Sequence, residues 1–195
     1  MGYGALDMGY GIKASDIAAI MAVTDALPDS GALTTITTEV EKTKTFYRDF
    51  WSDVQALVTI TATAQDLSLP SVVVAGLPAG ATVARAIAIF KYRAAQDTSG
   101  SANNLDDGGG TTTPAIQVRA DTPGTYIDAI NVVDGMVQVV ASTRDSGDVW
   151  MGDNDVKSEV DENDTYEFQF DDAEAEGGNL LLRDVQCGLR VYFTL

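Results

Sequence analysis

Strict alternation of apolar and polar positions is the strongest pattern in this chain. Over residues 180–195, Leu181, Val185, Cys187, Leu189, Val191 and Phe193 share one parity. Asp184, Gln186, Arg190, Tyr192 and Thr194 share the other. Successive strand side chains point to opposite faces, so the pattern predicts one long strand with a buried face and a wet face. Residues 165–170 repeat it, with Tyr166, Phe168 and Phe170 against Glu167 and Gln169, and residues 54–64 set Val54, Ala56, Val58 and Ile60 against Gln55, Thr59 and Thr61. Residues 81–94 differ. Ala84, Ala86, Ala88, Phe90 and Tyr92 face one way, while Val83, Ile87 and Ile89 make the other face apolar too, which predicts a strand covered on both sides.

Between these runs the chain is punctuated. Pro70 interrupts the apolar run 67–75, which suits an edge strand or a strand start near Ser71. Residues 115–119, 126–133 and 136–142 read as further strands, the last two joined by Asp134-Gly135, a two-residue hairpin signal. The polar stretch 96–114, with three consecutive glycines, reads as a long loop. Many strands with long, variable connections and no helix-alternating pattern predict an all-β fold, an antiparallel two-sheet sandwich of the jelly-roll kind, over residues 31–195.

Residues 1–30 break the pattern. A Gly-Tyr-Gly unit occurs twice, at 2–4 and 9–11, where glycine disfavours regular structure and Tyr3 and Tyr10 offer flat anchors. Ser15 then suits a helix N-cap and Asp16 its first turn. Ile17, Ile20, Met21, Thr24 and Leu27 follow helical spacing up to Pro28, predicting one short amphipathic helix. The expected organisation is thus a glycine-rich arm with a helix, then the sandwich. The helix stripe packs either on its own sandwich or on a neighbouring molecule.

Composition narrows the chemistry. The 195 residues hold 12 Lys and Arg against 29 Asp and Glu, for a net charge of −17, which repels phosphate backbones and argues against direct nucleic-acid binding. There is no histidine, so neither histidine-assisted nucleophilic catalysis nor the usual zinc site is available. The one cysteine, Cys187, lies on the apolar parity of the last strand and reads as a core residue. No export signal and no membrane-length apolar run occur in the sequence, so synthesis and folding in a cytoplasm are expected.

Three weaker candidates survive. With 29 acids, a carboxylate pair at glycosidase distance will arise by chance, so such a pair says little. The acidic stretch 145–164 supplies oxygens for calcium from Asp148, Asp153, Asp155 and Asp161, although its spacing is not that of a helix–loop–helix calcium site; a solvated acidic hairpin is the plainer reading. Trp150, in that stretch, is the candidate platform for stacking a sugar ring, whereas Trp51 follows Phe46, Tyr47 and Phe50 and reads as core or interface.

The segments LPSVVVAGLPAGATVARAIAIFKYRA (69–94) and LRDVQCGLRVYFTL (182–195) are similar in style to the β-sandwich structural proteins of tailed viruses. The resemblance implies a non-enzymatic virion component, such as a capsid decoration (cement) protein, made in a host cytoplasm. Its partners would be copies of itself, a trimer being favoured, and the major capsid or other virion proteins. Tyr3, Tyr10, Ile17, Ile20 and Met21 are then the expected assembly contacts. The alternative is a carbohydrate- or receptor-binding sandwich of fibre or tail type, assisted by calcium. No cofactor is otherwise expected.

Overall fold

The structure is a computed structural model that describes residues 44–97, 103–106, 115–121, 124–131, 137–139, 145–146, 149–175 and 178–195. These lie within one compact unit, Lys44–Leu195. The expected arm, its helix, the boundary at residue 30 and the contacts Tyr3, Tyr10, Ile17, Ile20 and Met21 lie outside the described residues.

All regular structure described is strand: β1 (Phe46–Trp51), β2 (Gln55–Ile60), β3 (Gln65–Val73), β4 (Thr82–Lys91), β5 (Ala94–Asp97), β6 (Asn103–Asp106), β7 (Ala115–Ala120), β8 (Ile127–Asn131), β9 (Gln138–Val139), β10 (Asp145–Ser146), β11 (Val149–Met151), β12 (Thr165–Ala175) and β13 (Leu180–Thr194). They form two antiparallel sheets. In the seven-stranded sheet β13 is central, with β1 and β2 along one side, β4 and β5 along the other, and β11 and β10 beyond these. In the six-stranded sheet β12 is central, with β3 on one side, β7 and β6 on the other, and β8 and β9 beyond.

Several of these are consecutive pieces of one run. Treating β1–β2, β4–β5, β6–β7, β8–β9 and β10–β11 as single runs leaves eight. The first pairs with the eighth, the second with the seventh, the third with the sixth and the fourth with the fifth. That nested pairing is the jelly roll, as the alternation predicts. The inner faces meet in one core. Phe90 of β4 packs edge-on against Phe170 of β12, ring centroids 5.4 Å apart, among fully buried Tyr166, Phe168, Leu182, Leu189 and Ile116.

The two central strands share a device that the alternation did not reveal. Asp184 has φ 52° and Asp172 has φ 50°, in the left-handed region that Asp tolerates better than most residues. Each marks a bulge at which the buried parity switches. In β13, Leu180 and Leu182 face inward before Asp184, and Val185, Cys187 and Leu189 face inward after it. Leu181 therefore points outward, half-buried, and does not share the inward parity expected of it. In β12 the inward set changes from Tyr166, Phe168 and Phe170 to Ala173 and Ala175. Beside the β13 bulge the run β1–β2 breaks at Ser52. There the Ser52 N–H donates to the Cys187 carbonyl (2.9 Å), and the Cys187 N–H donates to Ser52 Oγ (3.0 Å), a side chain standing in for a ladder carbonyl.

Other expectations need correction. The stretch 96–114 is not one loop, because β6 lies within it. Leu105 is fully buried there, and the Asn103 amide donates to buried Asp97 (2.6 Å). The strands β8 and β9 pair antiparallel with β7 and β6, which both run antiparallel to β12. They therefore run in the same direction and are not two arms of a hairpin about Asp134-Gly135; those two residues lie outside the described set. Nor is 145–164 a solvated hairpin. β10 and β11 extend along β5 and β4, and the chain then crosses to β12 with Val156 and Val160 fully buried. The crossing begins at Gly152, whose N–H donates to the Ala88 carbonyl (2.8 Å). A Cβ there would lie 2.4 Å from the Ala129 carbonyl of the opposite sheet.

Candidate functional site

Cross-strand register aligns the outward side chains into rows, and the two outer faces carry different chemistry. On the seven-stranded sheet one row is Tyr47, Tyr192 and Arg85, the next Asp49, Arg190 and Ile87, then Trp51, Gly188, Ile89 and Met151, then Gln186, Lys91 and Val149. The Trp51 ring lies against Gly188, where a Cβ would sit 2.8 Å from a ring carbon. Lys91 Nζ stands 4.2 Å from the Trp51 ring centroid, and the Arg190 guanidinium 4.9 Å from that of Tyr47. Arg190 also clamps Asp49 through Nε and Nη2 at 2.7 and 2.8 Å, which holds the Asp49 carboxyl below its ordinary range.

This face exposes large apolar groups. Tyr47 is 61% exposed, Val149 57%, Met151 49% and Trp51 40%, while Ile87 and Ile89 between them are buried. The second apolar side of β4 is therefore real, and among the described residues no further layer of strands lies over it. Arg85, Lys91 and Arg190 face out here, so the face runs against the acidic balance of the chain.

The six-stranded sheet presents a polar lattice instead. Arg119 of β7 donates through Nε and Nη2 to Glu167 Oε2 of β12 (2.8 and 2.6 Å) and lies 4.3 Å over the Tyr126 ring. In the next row the Gln169 amide donates to Gln117 Oε1 (2.9 Å), and Gln117 donates to Asp128 and Asp171 (2.9 and 3.0 Å). At the β12 bulge, carboxylate oxygens of Asp66, Asp171 and Asp172 lie within 4.8 Å of one another. Burial first, then the charges of Asp172 and Asp66, push the Asp171 carboxyl up. Calcium takes six to eight oxygens, and this group brings together one close oxygen from each of three acids.

The calcium candidates read from sequence sit elsewhere. Asp155 Oδ1 accepts the backbone N–H of Ala86 (3.0 Å) and of Lys157 (3.1 Å), holding the crossing segment to β4. Asp153 accepts from Asn131 (3.3 Å) on the surface, Asp161 is exposed, and Asp148 lies outside the described residues. Trp150, the candidate sugar platform, is partly buried and packs against the core, opposite Phe90 in the register. Trp51, 40% exposed, is the more exposed tryptophan. Cys187 is buried, which pushes its thiol far above the ordinary range and leaves it without nucleophilic character.

The edge strand β3 adds a concavity. Its register against β12 shifts between Leu69↔Phe168 and Val72↔Tyr166, so Pro70 and Ser71 together oppose Glu167. Beside this bulge lies a pocket of about 210 Å³ lined by Ser68, Ser71, Arg119, Tyr126 and Glu167, with Leu69 and Phe168 at its floor. The sequence pattern places Glu167 and Arg119 outward on their strands. It does not reveal that the two strands are neighbours.

No helix among the described residues is long and apolar enough to cross a membrane. No family model and no curated protein matches the chain. Among solved structures, the chain is similar to a chain in the structure of infectious bursal disease virus, Gx strain, with a TM-score of 0.35 and 12% identity, covering 79% of this chain. It spans 42% of the length of that viral chain.

Proposed function

We propose that this chain is a non-enzymatic structural protein of a virion, of the capsid decoration kind, which stabilises a particle by contacts with copies of itself and with other virion subunits. The observation that carries this reading is the outer face of the seven-stranded sheet. Tyr, Trp, Met and Arg are the residue types enriched at the centre of protein interfaces, and here Tyr47, Trp51, Met151 and Arg190 share adjoining rows. Apolar area of this kind, rimmed by charge, marks a contact surface on a soluble protein. The cations on that face suit an acidic neighbour, and a second copy with net charge −17 is one. Double-sheet jelly rolls serve viral capsid and lectin domains alike, so the fold agrees with the reading without deciding it. Within it, Tyr3, Tyr10, Ile17, Ile20 and Met21 supply a second, tethering contact.

Size-exclusion chromatography with light scattering on the full chain is the test. A closed oligomer, a trimer in this reading, is expected. Replacing exposed Met151 by Glu is expected to shift it to monomer with an unchanged circular dichroism spectrum. A wild-type chain that stays monomeric at high concentration overturns self-assembly, and an oligomer indifferent to Met151→Glu overturns the role of this face.

A further inference from the structure

The pocket beside the β3 bulge lies on the opposite sheet from the contact face, and its chemistry is different. Its walls hold both kinds of hydrogen-bonding group. Both hydrogen bonds from Arg119 to Glu167 fall on Oε2, and among the described residues no donor is bonded to Oε1. The hydroxyls of Ser68 and Ser71 likewise have no partner among the described residues. Ser68 and Ser71 are exposed, whereas Leu69 and Phe168 turn their side chains into the core and leave main chain as the floor.

Charge selects the ligand class. Glu167 neutralises Arg119 within the pocket, and Asp66, Asp171 and Asp172 crowd the next part of the same face. An anionic ligand would lose energy to those acids, and a cation would have to compete with Arg119. A neutral group that both donates and accepts, repeatedly and at short spacing, fits. The hydroxyls of a sugar ring do this: one can donate to Glu167 Oε1 while its neighbour accepts from Arg119 or a serine. Tyr126, held under the guanidinium, supplies an aromatic edge.

We infer that this pocket binds one ring of a neutral hexopyranoside. The inference is independent of the assembly reading, since it concerns the other sheet. A shallow site for a single ring gives affinity on the order of 1 mM. Saturation-transfer NMR on the full chain with the methyl glycosides of glucose, galactose and mannose, each at about 10 mM, tests it. Transfer to at least one glycoside is expected. It should fall at least about five-fold in Glu167→Gln, which weakens the Arg119 pair and removes the carboxylate acceptor. It should fall equally in Ser68→Val, which fills the pocket at an exposed strand position that a β-branched residue suits. No transfer to any of the three overturns the inference. So does transfer that survives both variants, and so does a stronger signal from an anionic sugar such as methyl sialoside.

Discussion

The two outer faces of this sandwich are built on the same scaffold and by the same alternation, yet they differ in almost every other respect. One is aromatic, aliphatic and basic, with Ile87 and Ile89 buried at outward positions. The other carries Asp66, Asp128, Glu167, Asp171 and Asp172 around Arg119, joined by side-chain hydrogen bonds. The core demands only that inward positions be apolar, so the outward parity is free to encode something else. On one side it encodes desolvation, with exposed rings and aliphatic groups whose water a partner could displace. On the other it encodes hydration, with polar groups held in fixed geometry.

The largest expected effect comes from breaking what the faces share. Gly152→Ala would set a Cβ against the Ala129 backbone of the opposite sheet, where nothing yields. A loss of at least about 3 kcal/mol is expected in urea unfolding, with tryptophan fluorescence and circular dichroism falling together. Separate transitions would show that the sheets are not one cooperative unit.

Gly188→Ala acts on one face alone. The new methyl meets the Trp51 ring, the end of a side chain that can swing away. We expect a loss of about 1–2 kcal/mol, a red shift in tryptophan emission, and unaltered glycoside signals from the opposite pocket.

Acid should move the faces in opposite directions. The Asp171 carboxyl is raised by burial and by its acidic neighbours. Its contribution to stability is fully present below the ordinary carboxylate value of 3.8 and is lost as pH rises through the raised value. The Asp49 carboxyl is lowered by Arg190, so its contribution is present above 3.8 and lost as pH falls through the lowered value. Asp171→Asn should therefore melt above wild type near neutral pH and lose that advantage in acid. Asp49→Asn should melt below wild type near neutral pH and converge with it in acid. Melting curves across the carboxylate range decide both. The smallest effect is Lys91→Ala, which removes a cation from the Trp51 ring and should cost about 0.5–1 kcal/mol in thermal unfolding.

The fold was legible because the strongest signals were core signals. Alternation in 165–170 and 185–193 places Tyr166, Phe168, Phe170, Cys187 and Leu189 correctly, since solvent exposure punishes any other arrangement. It failed at Leu181 because a single left-handed Asp reverses parity without leaving a glycine as a marker. The segment around Leu105 escaped because one buried side chain in a polar run has no period. The surfaces were harder still. Trp51 is more exposed than Trp150, an order that the sequence does not reveal, because strand order decides which lies on an outer row, and neighbours in a jelly roll come from distant parts of the sequence. Arg119 and Glu167 are each predictable as outward residues, but only the pairing of β7 with β12 makes them one site.

The pairing of Phe46 with Phe193 carries a kinetic consequence. Every nested pair in this fold closes around those inside it, and the outermost encloses nearly the whole domain. The chain must lose the entropy of that closure before the seven-stranded sheet gains its central contacts. Refolding is therefore expected in the slow range of all-β domains, milliseconds to seconds, and slower than a helical protein of equal length. Until β13 docks, β1 and β4 remain open edges, so the protein is at its most aggregation-prone late in folding, after most of its strands have formed.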